Sequence, residues 1–243
     1  MLTATQMKQD CCGCMACSFS CPKSAISMKE DECGFLYPEI NHELCVHCNL
    51  CTKVCPLQNT YTGADAVPDI YALQNHQKAI VSESSSGGMF SLLADWTLAQ
   101  GGVIYGVSFD EGFQVRHMRA DSAEKAAAFR TSKYVQSDPS HIYQTICDDL
   151  ANGLTVLLTG TPCQIAGVAR FLEIKHADTT SLYTCDNICH GVPSPGVWKD
   201  YLEILKSKYM DTDAQITSIN MRSKRVSWKK QVMDISVSKG NLL

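Results

Sequence analysis

Eight cysteines near the start of the chain fall into two copies of one spacing: Cys11-x2-Cys14-x2-Cys17-x3-Cys21-Pro22 and Cys45-x2-Cys48-x2-Cys51-x3-Cys55-Pro56. Three closely spaced thiolates can grip one face of a 4Fe-4S cube. The fourth sits too far round the turn and ligates the cube held by the other run. The pattern predicts that Cys11, Cys14, Cys17 and Cys55 hold one cluster, and that Cys45, Cys48, Cys51 and Cys21 hold the other. The proline after each fourth cysteine ends the local turn and frees that residue to cross over. Such a pair of clusters moves electrons one at a time.

Other uses of these thiols fit less well. A disulfide framework suits a secreted chain, but Met1 to Asp10 has no apolar run of the kind that opens a signal peptide. Zinc sites use two C-x2-C pairs with a longer spacer and need no third cysteine two residues on. Cys12 and Cys33 fall outside the pattern and read as buried or free thiols.

The whole chain has 243 residues, 14 cysteines, 45 % hydrophobic residues and a formal net charge of −4. That length suffices for a small cluster module and one larger globular domain. The mild acidity argues against nucleic acid or an anionic membrane surface as partner. No stretch approaches the ~18 consecutive apolar residues of a membrane-spanning helix. Iron–sulfur clusters and many free thiols point to a reducing cytoplasm.

The elements that must position this chemistry divide the chain in three. Residues 1–58 form the dicluster unit. Residues 59–69 are polar with Gly63 and Pro68, and read as a linker. Residues 70–243 have a different texture. Ile70–Gln74 is strand-like, and Ser82–Gly88 is a small-residue loop. Met89–Gln100 has helical apolar spacing and stops at Gly101-Gly102. Val103–Phe109 and Val115–Arg119 form a strand pair. Helices follow at Ser122–Phe129 and Ser140–Asn152. A buried strand, Leu154–Leu158, leads to a helix with Pro162 in its first turn and Thr161 as its cap. Ser181–Thr184 is a strand, Ser194–Tyr209 a long amphipathic helix, and Ile216–Met221 and Val226–Val237 two more strands. The fold class is therefore α+β or α/β: a small ferredoxin-like dicluster domain followed by a mixed-sheet domain. Gly240-Asn241 resembles a hairpin turn whose second strand is missing, which suggests C-terminal truncation.

Three polar loops in the second domain could carry chemistry: Ser84-Ser85-Ser86-Gly87-Gly88, Thr131–Gln136, and Gly160–Gln164. The first precedes a helix, where free amides, hydroxyls and unhindered glycines can cradle a phosphate. An ordinary serine helix cap explains it as well. The third sits at the carboxyl end of a strand, where open α/β sheets bind ligands. Cys163 lies in a first helical turn, which favours thiolate. Cys189 also follows a strand and precedes a helix. The two could meet at one end of the sheet and hold a third 4Fe-4S cluster, with two further ligands from Cys185, Cys147 or the dicluster domain. Alternatively Cys163 is a lone activated thiol, or the cysteines are simply core residues.

The strings SSSGGMFSLLADW, GGVIYGVSFD, TSKYVQSD, TGTPCQIAG and ICHGVPSP resemble the coenzyme F420 hydrogenase/dehydrogenase beta-subunit family from about Ile70 onward. The N-terminal dicluster is a common fusion in it. An F-R-D-K-like string expected near Asn220–Lys224 lacks its phenylalanine and aspartate here. The resemblance implies a flavoprotein oxidoreductase subunit. Electrons would pass between the clusters and FAD, then to a two-electron carrier such as a deazaflavin, with a redox protein or subunit as partner. The implied flavin residues are Ser84, Ser85, Ser86, Gly87 and Gly88, then Ser132, Lys133, Tyr134 and Gln136, then Thr161 and Pro162. It also strengthens the reading of Cys163 and Cys189 as ligands. The alternative is a non-catalytic ferredoxin-type subunit of a larger complex, in some bacterial relatives linked to polysaccharide biosynthesis.

Overall fold

The computed structural model describes residues 10–59, 68–211, 213–227, 229–230 and 232–238. Most of the expected linker, and the expected turn at Gly240-Asn241, lie outside the described residues.

The first unit contains α1 (Ala16–Phe19), β1 (Ile26–Glu30), β2 (Leu36–Ile40) and α2 (Leu50–Val54). The strands pair antiparallel, with Ile26 opposite Ile40. Asp31 closes their turn, its carboxylate accepting from the amides of Cys33 and Phe35 at 3.0 and 2.9 Å. The two cysteine runs are conformational copies. Gly13 and Met15 in the first have positive φ, and so do His47 and Asn49 at the matching places in the second. The left-handed residues, each pair separated by one residue, curl both runs into the same tight turn.

The second unit continues with α3 (Lys78–Glu83), α4 (Met89–Ala99), β3 (Val103–Phe109), β4 (Val115–Ala120), α5 (Ala123–Ala127) and α6 (Ile142–Ala151). It ends with β5 (Val156–Gly160), α7 (Pro162–Ile174), β6 (Leu182–Asp186), α8 (Pro195–Tyr209), β7 (Gln215–Ser223) and β8 (Val232–Ser238). A mixed four-stranded sheet runs β4-β3-β5-β6. β3 is antiparallel to β4 and parallel to β5, which is parallel to β6. The strand alternation sorts side chains onto two faces. Val103, Tyr105, Val156 and Leu158 face α6 and α7. Ile104 and Leu157 face α4 and α5.

Three local expectations differ from the fold. Ile70–Gln74 pairs with no strand, and Ile70, Tyr71 and Leu73 are exposed. Ser82 belongs to α3, so the small-residue loop begins only at Ser84. The last strand, expected from Val226, begins at Val232, and β7 and β8 form a separate two-stranded sheet. Their apolar side, Ile219 and Met221, is buried against Trp198 and Leu202 of α8 and Val115 of β4. That face is covered without edge pairing to the main sheet.

The core joins the two sequence units. Cys14, Met15, Ala16 and Val54 share one buried cluster with Tyr143 and Ile146 of α6 and with Val168, Phe171 and Leu172 of α7. Phe19 stacks on Tyr143 at 4.8 Å between ring centroids, and Tyr143 meets Phe171 edge-on at 5.1 Å. Gly167 permits this approach: a Cβ there would lie 3.0 Å from both Cβ and Sγ of Cys14. A second junction has the hairpin turn against α8, where a side chain at Gly34 would meet the Gly196 backbone at 2.4 Å.

Candidate functional site

The eight patterned cysteines line two separate cavities. Cys11, Cys14, Cys17 and Cys55 surround the first, together with Cys12, Met15, Met28, Pro38 and Leu57. Cys21, Cys45, Cys48 and Cys51 surround the second, with Val46, His47 and Asn49 on its rim. These are the crossed sets that the spacing predicts, each with three thiols from one run and one from the other. The donors fit 4Fe-4S cubes: four thiols per cavity in a mostly apolar wall. Among the described residues, no three His, Cys, Asp or Glu side chains gather closely enough for a single ion. The amide of Ala25 points at Cys21 Sγ at 3.3 Å, a hydrogen bond that tunes a cluster sulfur.

The cavities differ in surroundings. The first is the inner one. Its Cys14 is buried in the shared core, and burial pushes the Cys17 thiol up to about 12 and the Cys11 thiol above its ordinary value. The second is the outer one. Cys48 is exposed, and the neighbouring Leu44 and Val46 are more than half exposed.

The three polar loops converge beside the inner cavity. Ser85 Oγ accepts the Ser132 amide at 2.7 Å, joining the first loop to the second. Gln164 Nε2 donates to Ser137 Oγ at 2.8 Å, joining the third loop to the end of the second. Gln136 Nε2 donates to the Cys12 carbonyl at 3.1 Å, joining that segment to the first cysteine run. A buried His117 closes the knot, its Nδ1 3.1 Å from Ser137 Oγ. Burial pulls that imidazole down to about 4.

Several predicted flavin residues have structural duties of their own. Ser84 is buried and donates to the Ile80 carbonyl at the end of α3. A side chain at Gly87 would meet the Leu73 carbonyl at 2.9 Å, so loop packing alone requires glycine there. Gly88 caps α4 with φ of +77°, and no side chain caps the first amides of that helix. Ser86 is exposed, and its carbonyl accepts from Lys224 Nζ at 2.9 Å. Lys133 Nζ donates to the carbonyls of Ala128 and Arg130 at 2.6 and 2.8 Å. Desolvation lowers its pKa while those carbonyls favour the charged form. The Tyr134 hydroxyl accepts from Arg222 at 3.0 Å. Thr161 and Gln164 form a capping box at the start of α7, with Pro162 in its first turn. Uncapped amides of an 11-residue helix and nearby cations such as Lys224 fit an anionic phosphate group. Lys224 was not among the expected residues; its only sequence signal was membership of the incomplete F-R-D-K-like string.

The remaining cysteines do not gather. Cys185 packs with α4 and α5, on the sheet face opposite α7. Cys189 is exposed in the loop after β6, its sulfur accepting from the Gly191 amide at 3.4 Å. Cys147 packs against the core from α6. Cys163 Sγ lies 3.3 Å from Thr161 Oγ1 at the start of α7, and Cys12 lines the inner cavity.

Comparison with known proteins fits this arrangement. Residues 10–59 match the family model of the 4Fe-4S dicluster domain. Residues 153–241 match that of the coenzyme F420 hydrogenase/dehydrogenase beta subunit, C terminus. No curated protein matches. One similar solved structure is a chain of the F420-reducing NiFe hydrogenase complex from Methanosarcina barkeri, at 16 % identity and a TM-score of 0.46. The match covers 69 % of this chain and 56 % of that one. The chain thus joins a segment that matches the 4Fe-4S dicluster domain to one that matches the C terminus of the coenzyme F420 hydrogenase/dehydrogenase beta subunit. Among the described residues, no helix is long and apolar enough to cross a membrane.

Proposed function

We propose that the protein is the electron-transfer subunit of an iron–sulfur flavoprotein oxidoreductase, working in the reducing cytoplasm. Cys21, Cys45, Cys48 and Cys51 hold an outer 4Fe-4S cluster that exchanges electrons with a partner protein. Cys11, Cys14, Cys17 and Cys55 hold an inner one. FAD binds where the three loops converge, with its phosphates at the start of α4 and near Ser85, Ser86 and Lys224. When bound, the flavin joins one-electron to two-electron chemistry and serves a hydride carrier, deazaflavin-like or other. The carrying observation is a pair of hydrogen bonds made by one segment, residues 132–136: the Ser132 amide to Ser85 Oγ at one end and Gln136 Nε2 to the Cys12 carbonyl at the other, beside the inner cavity. The protein's own contribution is positioning and the exclusion of water by the core around Tyr143. Cys185 packs on the sheet face opposite α7 and Cys189 is exposed in the loop after β6, so this reading has two clusters.

The test is cofactor analysis of anaerobically prepared full-length protein for iron, sulfide and flavin. Two cubes and one FAD per chain are expected. Ser86→Glu places an anion beside the proposed phosphates without touching the packing that requires Gly87, and should lower flavin content at unchanged iron. A chain that holds iron but never flavin would leave the second reading, a non-catalytic electron-transfer subunit that only docks its partner.

A further inference from the structure

The two crossed cavities differ in the quantities that set the potential of an iron–sulfur centre: nearby charge, solvent access and hydrogen bonds to sulfur. Among the described residues, the inner cavity is lined, apart from its cysteines, only by Met15, Met28, Pro38 and Leu57. Its Cys14 is 8 % exposed and sits in the shared core. The outer cavity has Lys23 and His47 on its wall and, among the described residues, no carboxylate. Its Cys48 is exposed, and the Ala25 amide donates to Cys21 Sγ at 3.3 Å. Reduction adds one negative charge to a group that is already an anion. A cation, water and an amide N–H each favour that charge, and an apolar wall opposes it. The positive end of α7 works the other way, since Gly167 packs on Cys14. It is a partial charge, with its first amides engaged by the Thr161–Gln164 capping box, against the full charge of Lys23.

We infer that the outer site, held by Cys21, Cys45, Cys48 and Cys51, has the higher reduction potential, so that a single electron on this chain rests there. Lys23, the Ala25 amide and the exposure of Cys48 set the order. The inference rests on the two-cluster reading but not on flavin binding. Each internal transfer moves one electron from a reduced inner centre to an oxidised outer one. No bond forms or breaks and no proton moves, so the exchange balances without a further reactant. The downhill direction inside the chain therefore runs from the core-facing cavity to the solvent-facing one. The electron comes to rest beside the exposed Cys48, where a one-electron acceptor protein can reach it.

The experiment uses the full-length, cluster-loaded chain under anaerobic conditions. Iron and sulfide are counted first. The chain is then reduced by a single electron, and EPR is recorded with and without a soluble dysprosium chelate, which speeds the relaxation of a centre close to water. The centre that the chelate affects should be filled in about tenfold excess over the other, equivalent to about 59 mV for a one-electron couple. Lys23→Gln removes the cation and should cut that excess several-fold, with iron content and the potential of the other centre unchanged. Lys23→Arg should restore it. The inference is overturned if the centre that fills first is the one the chelate does not reach, if the two fill equally, or if Lys23→Gln leaves the ratio as it was. A chain that holds a single cube would remove the two-cluster reading and this inference with it. Two cubes without flavin would remove the flavin reading and leave this result unaffected.

Discussion

The phenol of Tyr143 donates a hydrogen bond to the backbone carbonyl of Cys14, 129 residues earlier in the chain. The bond is fully buried and fastens the inner cysteine run to α6. Tyr143→Phe would keep the ring stacked on Phe19 but leave that carbonyl without its partner. We expect a loss of about 1–3 kcal/mol of stability, read from the denaturant midpoint. Iron should leave the inner cluster before the outer one. An unchanged midpoint would mean that the ring alone holds the junction.

Crossed ligation assigns a distant consequence to each fourth cysteine. Cys55→Ser should damage the inner cluster and Cys21→Ser the outer one, each with loss of about half the iron at most. EPR of the reduced variants distinguishes the two centres by their different surroundings. If Cys55→Ser instead emptied the cavity lined by Cys45, Cys48 and Cys51, the ligand sets would be local.

Burial raises the thiols of Cys11, Cys17 and Cys51 above their ordinary values, Cys17 to about 12. Iron binds thiolate, so loading these cavities must expel protons, and protons compete with iron. Chelator-driven iron loss should accelerate as pH falls from 8 to 6, with proton release measurable on reconstitution. A pH-independent rate would contradict the buried-thiol environment.

His117 couples the loop junction to acidity. Its folded pKa, held near 4 by burial, lies below the ordinary 6.5. The unfolded chain therefore takes up a proton first as pH falls, and stability is lost progressively between about pH 6.5 and 4. The limit is about 3 kcal/mol. His117→Gln should flatten that part of the stability curve. A variant with the same acid slope would assign the effect to other groups.

Gly167 sets the distance between α7 and the inner cysteine run. Alanine normally favours a helix by about 1 kcal/mol, but its methyl would press on Cys14, 3.0 Å away. Without iron Cys14 can give; with iron it is fixed. Gly167→Ala should therefore weaken iron retention in the inner cluster while leaving the melting temperature of the iron-free chain nearly unchanged or higher. Equal effects on both states would show that the helix alone responds.

Some features of this chain are legible locally, for a physical reason. A metal cube is wrapped by a short loop, so cysteine spacing carries the ligand sets, and the crossed partition into Cys11, Cys14, Cys17, Cys55 and Cys21, Cys45, Cys48, Cys51 followed from it. Strand alternation likewise gave β3, β4 and β5, and Thr161-Pro162 gave the start of α7. Contacts between distant segments have no such local signature. Only the tertiary structure brought Gln136 to the Cys12 carbonyl and put Cys185 on the sheet face opposite α7. It alone assigned Gly87 to loop packing and drew both units into one core around Tyr143. Each of these depends on how elements far apart in sequence share buried surface. Folding decides that globally, by filling space and satisfying buried polar groups, and no spacing rule along the chain records the outcome.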